Sequence, residues 1–287
     1  MRFMSFVADG RVRFGMVEGD GVVDLTGKLG SNFTLLDDVA RAVAWEKAGQ
    51  AGAGKPADFK LADVTFLPPL LRPGKIICIG VNYSNRNEEY GQVSAPSKYP
   101  NVFLRVPESL VAHGAKILRP RVSEQFDYEG EVTLVIGKPG RYIDKARAFE
   151  HIAGLTIANE GSVRDWMSHG KFNITQGKNF DASGSIGPWI DTSPVTAASE
   201  YHLRTWVNDE LRQDDTTTNM IWRFDFLINY LSQFTTLMPG DVILSGTPIG
   251  AGVRFNPPKW LRPGDRLKID VSGIGALENT VADESAC

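Results

Sequence analysis

The amino-acid sequence predicts an α+β protein, predominantly β, with a small α+β unit ahead of a larger strand-rich one. Three observations predict it. Short apolar or alternating runs recur, each bounded by Gly, Pro, Asn or Asp, which is the pattern of strands and their turns. Strands and helices do not alternate regularly, so a doubly wound parallel sheet is not expected. A Gly/Ala/Pro-rich stretch at 48–58, followed by Pro68-Pro69 and Arg72-Pro73-Gly74, separates a first unit, residues 1–68, from a second, residues 69–287.

The elements follow in order. Asp9-Gly10 and Asp20-Gly21 lie between short alternating runs and signal hairpins. A helix is expected over about residues 34–48. From Lys75 strands dominate. Residues 75–81 form a continuous apolar run, as in a strand buried on both faces. Residues 129–137 alternate, and 153–159, 201–209, 240–246 and 265–273 read as further short strands. Residues 144–151, 161–169 and 222–234 are the best helical candidates of this half.

Composition narrows the function. A chain of 287 residues with 42% hydrophobic and 23% charged residues is long enough to bury a core without staples. A net charge of -3, with the acids scattered, gives no general attraction to nucleic acid or an anionic membrane. Cys78 sits in an apolar run and Cys287 is the last residue, so no disulfide framework is expected. Neither a signal-peptide run nor a membrane-length apolar stretch is present in the sequence. These readings together predict a cytoplasmic protein with no nucleic-acid or membrane partner.

The informative segment is Phe126 to Ile136. Side chains on a strand alternate between faces, so Asp127, Glu129 and Glu131 share one face while Val132, Leu134 and Ile136 turn to the core on the other. Neighbouring carboxylates repel, and a hard cation with a preference for oxygen ligands offsets that. A solvated strand face is the ordinary reading of two glutamates at this spacing alone. A second cluster follows an apolar strand at Asn159-Glu160, with Arg164 four residues on. Glu160 can enter a site from the strand end, or serve a first helical turn, or pair with Arg164. Lys178, between Gly177 and Phe180, can reach an anionic substrate, or lie on the surface.

Several segments, taken in order, resemble the fumarylacetoacetate hydrolase family. They are residues 80–83, 128–138, 154–166, 177–181, 186–189, 239–252 and 261–281, and together they span most of the chain from Arg72 onward. The resemblance implies a mixed β-roll core with a small N-terminal domain, a homodimer, and Mg²⁺ or Mn²⁺ held by a Glu-x-Glu pair and a third acid. The pair falls on Glu129 and Glu131. The third ligand falls on Glu160, where the family more often has Asp. Lys178 matches the family's active-site lysine, Arg164 its arginine near the substrate carboxylate and Thr247 its substrate-contacting threonine. Tyr83, Gly246 and Arg105 are grouped with the substrate contacts. Glycines at 246 and 250 allow close backbone approach to a ligand. The resemblance fails at one informative place. Family hydrolases carry a His and a Glu that activate water on a short segment after Asn-Tyr. Here Glu89 keeps the acid, but Arg86 stands at the histidine position, and Met167 replaces a common glutamine. Arginine is always protonated and cannot serve as a base, though it grips carboxylates well.

The implied substrate is a small 2-oxo acid of aromatic or sugar-acid catabolism, chelated to the metal as an enolate forms. Glu89, Lys178 and Arg86 are the expected catalytic residues. The first expectation is hydrolysis of a C–C bond in an acylpyruvate-like acid. The alternatives are an isomerase, tautomerase or decarboxylase of a related 2-oxo acid, and a catalytically weak binding member of the fold.

Overall fold

A computed structural model of the protein describes residues 1–84, 98–170 and 174–285. The chain begins with two hairpin turns. Asp9 and Gly10, with φ of 51° and 69°, join Arg2–Ala8 to Arg11–Glu18. Their two left-handed residues match the right-handed twist of the strands. The second turn pivots on Gly19 (φ 58°) and Asp20, and Gly21 already opens the strand Gly21–Asp24. The helix expected over 34–48 is two short ones, Leu36–Arg41 and Trp45–Gly52, broken where Val43 takes φ 53°.

One large mixed sheet organises the described residues. Its strands run, edge to edge, Phe59–Lys60, Gly21–Asp24, Arg11–Glu18, Arg2–Ala8, Gly184–Asp191, Ile152–Asn159, Gly130–Ile136, Val242–Leu244, Ile76–Gly80 and Asn101–Arg105. Val242–Leu244 pairs with Ile76–Gly80 in parallel, and the neighbouring central pairs are antiparallel. A five-stranded sheet, built from His202–Val207, Glu210–Thr216, Arg266–Val271, Gly275–Asp283 and Lys116–Arg119, packs on it. The architecture is the predominantly β, α+β fold expected.

Gly130–Ile136 departs from expectation in a useful way. Every residue of it is buried, so no face is solvated. Val132, Leu134 and Ile136 join a core with Leu203 and Ile269 of the five-stranded sheet. On the opposite face Val135 joins a second core with Leu36, Val39 and Leu70 of the N-terminal region. A central strand flanked and covered on both sides has no room for a wet face, so acids on it must be buried.

The N-terminal region is continuous with the rest. Arg2–Ala8 pairs with Gly184–Asp191 through Arg2 with Asp191 and Phe3 with Ile190. Phe3, Phe14 and Leu36 share a core with Ile76, Val135 and Val242. Sheet and core therefore run across the 68/69 position. Of the remaining helical expectations, Phe224–Phe234 is an α-helix and Lys145–His151 a 3-10 turn. The third was wrong at its start: Ser162–Val163 is a strand paired with Phe126–Asp127, and a 3-10 turn covers only Asp165–Ser168. No helix among the described residues is long and apolar enough to cross a membrane.

Candidate active site

The three glutamates meet because two antiparallel strands end together. Glu131 pairs with Ala158 in the ladder between Gly130–Ile136 and Ile152–Asn159, which brings Glu160 across from Glu129. The Glu160 amide donates to the Glu129 carbonyl at 2.8 Å, and the Glu129 amide donates to the Asn159 side-chain oxygen at 3.1 Å. Carboxylate oxygens of Glu129, Glu131 and Glu160 lie within 4.8 Å of one another, and all three residues are buried. Gly130 separates the pair because its position admits no side chain: a Cβ there would lie 2.4 Å from the Thr205 hydroxyl.

Two cations answer these acids. Lys178 Nζ donates to Glu129 Oε2 at 2.5 Å and to Glu160 Oε2 at 2.8 Å. Burial opposes its charge, but Glu129 and Glu160 prevail and raise its pKa above the ordinary lysine value. Lys178 is therefore held as an ammonium ion. The Arg164 guanidinium spans Asp127 Oδ2 and Glu129 Oε1, each at 2.7 Å, and is likewise raised by those carboxylates against burial. It does not pair with Glu160. Glu131 receives the Gly246 amide at 2.7 Å. Burial first, then Glu160 and Glu129, push its carboxyl well above the usual range.

Among the described residues, Glu160 Oε1 is buried with no hydrogen-bond partner. An orphaned buried carboxylate oxygen costs free energy that a cation ligand would recover. Three carboxylates and an orphaned oxygen suit a hard divalent ion with oxygen ligands. Asp127, the third acid of the expected strand face, is used otherwise. It accepts from the Gly252 amide at 2.7 Å, the Val253 amide at 3.1 Å and Arg164.

The remaining expected residues are placed as follows. Gly246 takes φ 100°, and a Cβ there would lie 2.6 Å from that of Asn82, so glycine is needed for the turn to reach Glu131. The Thr247 hydroxyl accepts from Gln213 Nε2 at 2.8 Å. Tyr83 is fully buried, its hydroxyl has no partner among the described residues, and burial, with Asp215 and Glu131, raises its phenol pKa. Arg105 does not face the acids directly. Its guanidinium donates to the Gly161 carbonyl at 2.9 Å and to the hydroxyls of Ser109 and Ser183, each at 3.1 Å. It braces the backbone just after Glu160, because a fully buried guanidinium must spend its donors on the nearest acceptors. Arg86 and Glu89 lie outside the described residues.

Sequence reasoning missed three contributors. Asn82 is buried and ties the strand end at Gly80 to Ser245 and Trp222, donating to both carbonyls at 2.7 and 2.9 Å and accepting from the Trp222 amide. The Cys78 thiol, read as a buried hydrophobe, also lies against Glu160. Gln213 joins Gly130 to Thr247 from a different sheet. Only Asn82 carried a local signal, as part of the 80–83 segment.

The fumarylacetoacetate (FAA) hydrolase C-terminal family matches residues 75–282. An oxaloacetate tautomerase of Bacillus subtilis (strain 168) is 38% identical over 262 residues, covering 88% of this chain and 86% of its own. A probable 2-hydroxyhepta-2,4-diene-1,7-dioate isomerase from Mycobacterium abscessus superposes with a TM-score of 0.82 at 27% identity, covering 100% of both chains. A maleylpyruvate hydrolase from Sphingobium sp. SYK-6, in complex with manganese(II) and pyruvate, superposes with a TM-score of 0.82 at 26% identity, covering 99% of this chain and 100% of its own.

Proposed function

The chain belongs to the fumarylacetoacetate hydrolase family, and from that premise we propose that it is a divalent-metal-dependent tautomerase or isomerase of a small 2-oxo acid, with oxaloacetate the first substrate to test. This places enol–keto interconversion ahead of the hydrolysis first expected. The observation that supports it best is a lysine held cationic by Glu129 and Glu160, two of three clustered buried carboxylates, an arrangement able to stabilise an enolate.

A bound Mg²⁺ or Mn²⁺ would supply Lewis-acid stabilisation of enolate charge, and Glu129, Glu131 and Glu160 would hold it. Lys178 donates hydrogen bonds to the developing oxyanion; being held protonated, it is not the base. Arg164 fixes the Glu129 carboxylate by gripping one oxygen while Lys178 takes the other. Gly246 orients Glu131, and Thr247 meets a substrate oxygen. Glu89 is the proposed carrier of the proton between carbon and water, and Arg86 the proposed grip on a second carboxylate. Arg105 contributes by holding the backbone after Glu160.

Tautomerisation needs one proton moved and no activated water, whereas hydrolysis needs a base for water as well. The four histidines are engaged elsewhere. His113 accepts from the Glu278 amide, His151 bonds the Lys138 carbonyl, His169 is exposed and packs tilted against Trp166, and His202 pairs with Asp214. Hydrolysis of an acylpyruvate is the second reading, favoured by the likeness to the maleylpyruvate hydrolase.

The test follows the ultraviolet absorbance of oxaloacetate enol, with product identification on an acylpyruvate panel. Chelator-stripped protein should lose enol–keto catalysis and regain it with Mg²⁺ or Mn²⁺, and Glu129→Ala should have none. Turnover without metal would overturn the mechanism. Cleavage of an acylpyruvate without oxaloacetate tautomerisation would install the second reading. Metal binding without any turnover would make the chain a binding member of the fold.

A further inference from the structure

We infer that Gln213 is a positioning residue that makes the Thr247 hydroxyl a dedicated hydrogen-bond donor to a substrate carboxylate. The inference rests on the 2-oxo acid reading of the site but not on which reaction follows.

Gln213 lies on Glu210–Thr216, in the five-stranded sheet, 1% exposed. The pairing with His202–Val207 shifts register between Thr205 and Trp206, so the strand carries an irregularity beside Gln213. Such irregularities re-aim side chains. The side chain of Gln213 reaches the site's backbone from this sheet. Its oxygen accepts from the Gly130 amide, between the two metal-ligand candidates, at 3.0 Å. Its nitrogen donates to Thr247 Oγ1 at 2.8 Å, the Pro248 carbonyl at 3.1 Å and the Ile249 carbonyl at 3.4 Å.

This network settles which end of the amide is which. A backbone N–H can only donate, so Oε1 must face Gly130; carbonyls can only accept, so Nε2 must face Pro248 and Ile249. The amide therefore cannot turn over. Thr247 Oγ1 is then necessarily an acceptor toward Gln213, and its own proton has to point elsewhere. No described residue accepts that proton. Gln213 joins Thr247 Oγ1 to the Gly130 amide between Glu129 and Glu131, and the preceding Gly246 amide donates to Glu131, which sets Thr247 beside the acid cluster. A hydroxyl whose oxygen is already engaged offers a ligand only its proton. That matches a carboxylate oxygen and disfavours a neutral donor, because discrimination grows where a buried polar group would be left unpaired. Gly250 completes the device: a Cβ there would lie 1.8 Å from the Arg212 carbonyl, so only glycine lets this turn lie against the Gln213 strand.

The experiment is a double-mutant cycle read by calorimetric binding of oxalate to the Mn²⁺-loaded protein, with kcat and KM for oxaloacetate alongside. Thr247→Val should weaken oxalate about tenfold or more, as for one hydrogen bond to a charged group. Thr247→Ser, which keeps the hydroxyl, should restore most of the affinity. Gln213→Glu reverses the polarity at Oγ1 and should weaken oxalate and raise KM more than it lowers kcat. In the Thr247→Val background the same change should add less than about twofold, because its effect runs through the hydroxyl. Should Gln213→Glu not fold, Gln213→Met takes its place in the cycle, with the thermal midpoint as the folding control. Independent, multiplying effects overturn the inference, as does oxalate binding unchanged in Thr247→Val or absent from the wild type. Coupled oxalate effects in a protein that does not tautomerise oxaloacetate would instead overturn only the reaction proposed above.

Discussion

Glu131 carries the sharpest consequence at the scale of single residues. Burial and the neighbouring Glu160 and Glu129 raise its carboxyl, which therefore keeps a proton at pH values where a free glutamate is ionised. The metal-free folded state then binds more protons than the unfolded chain over that window. Stability of the metal-free protein should fall as pH rises from the ordinary glutamate range through the raised value. Metal ligands must be deprotonated, so metal uptake should release protons and tighten as pH rises. Calorimetry of Mn²⁺ binding in two buffers of different ionisation enthalpy measures this directly. Buffer-independent heats would show that Glu131 is already ionised. Glu160 sits beside it as a longer acid than the family's usual Asp, with one oxygen on Lys178 and the other without a partner among the described residues. The extra methylene is thus accommodated with the carboxylate still among the other two.

Among elements, the short helix Leu36–Arg41 matters because it carries one side of the second core. Asp38 organises its start, accepting from the Thr34 amide at 2.8 Å, the Leu35 amide at 2.9 Å and the Thr34 hydroxyl at 3.0 Å. Burial pushes its carboxyl up, but the Leu35 and Thr34 donors outweigh that and hold it below the usual range. A lowered carboxyl contributes stability above the unfolded-state value, and that contribution is lost as pH falls through the folded value. Asp38→Asn should therefore cost roughly 0.3–1 kcal/mol near neutral pH, the worth of a carboxylate charge at a helix N-terminus, and almost nothing once the wild-type carboxyl is protonated. Urea melts of both proteins at the two pH values check it; an equal cost at both would point to lost packing instead. Asp37, its neighbour, bonds the Leu71 and Arg72 amides and so ties this helix to the segment entering the larger part of the chain.

At the scale of the molecule, the sheet shared through Phe3 and Ile190 predicts that the first 68 residues cannot be removed. Their loss would bare the backbone edge of Gly184–Asp191 and open the core around Ile76, Ile186 and Val242. An exposed apolar edge strand aggregates. A chain starting at Pro69 should be insoluble or lack a cooperative thermal transition; a cooperative transition at the full-length midpoint would sink this expectation. A homodimer is proposed alongside, and light scattering of the full chain decides it.

What the sequence by itself determined is local. Strand runs, the first hairpin and the Glu-Gly-Glu spacing were legible because period two and turn chemistry act over a few residues. The ordered motifs carried the family and the three glutamates, Lys178 and Arg164 as candidates. Only the tertiary structure decided how those groups are used. Asp127 has the sequence parity of Glu129 and Glu131, yet it lies on the separate strand Phe126–Asp127 and is drawn to Gly252, Val253 and Arg164. Arg105 turned out to brace Gly161, and Gln213, in an ordinary polar run, reaches Gly130 and Thr247. The physical reason is common to all three. Periodicity says which face a side chain occupies, but a buried polar group goes to whatever partner satisfies it, and those partners come from chain segments far apart in sequence.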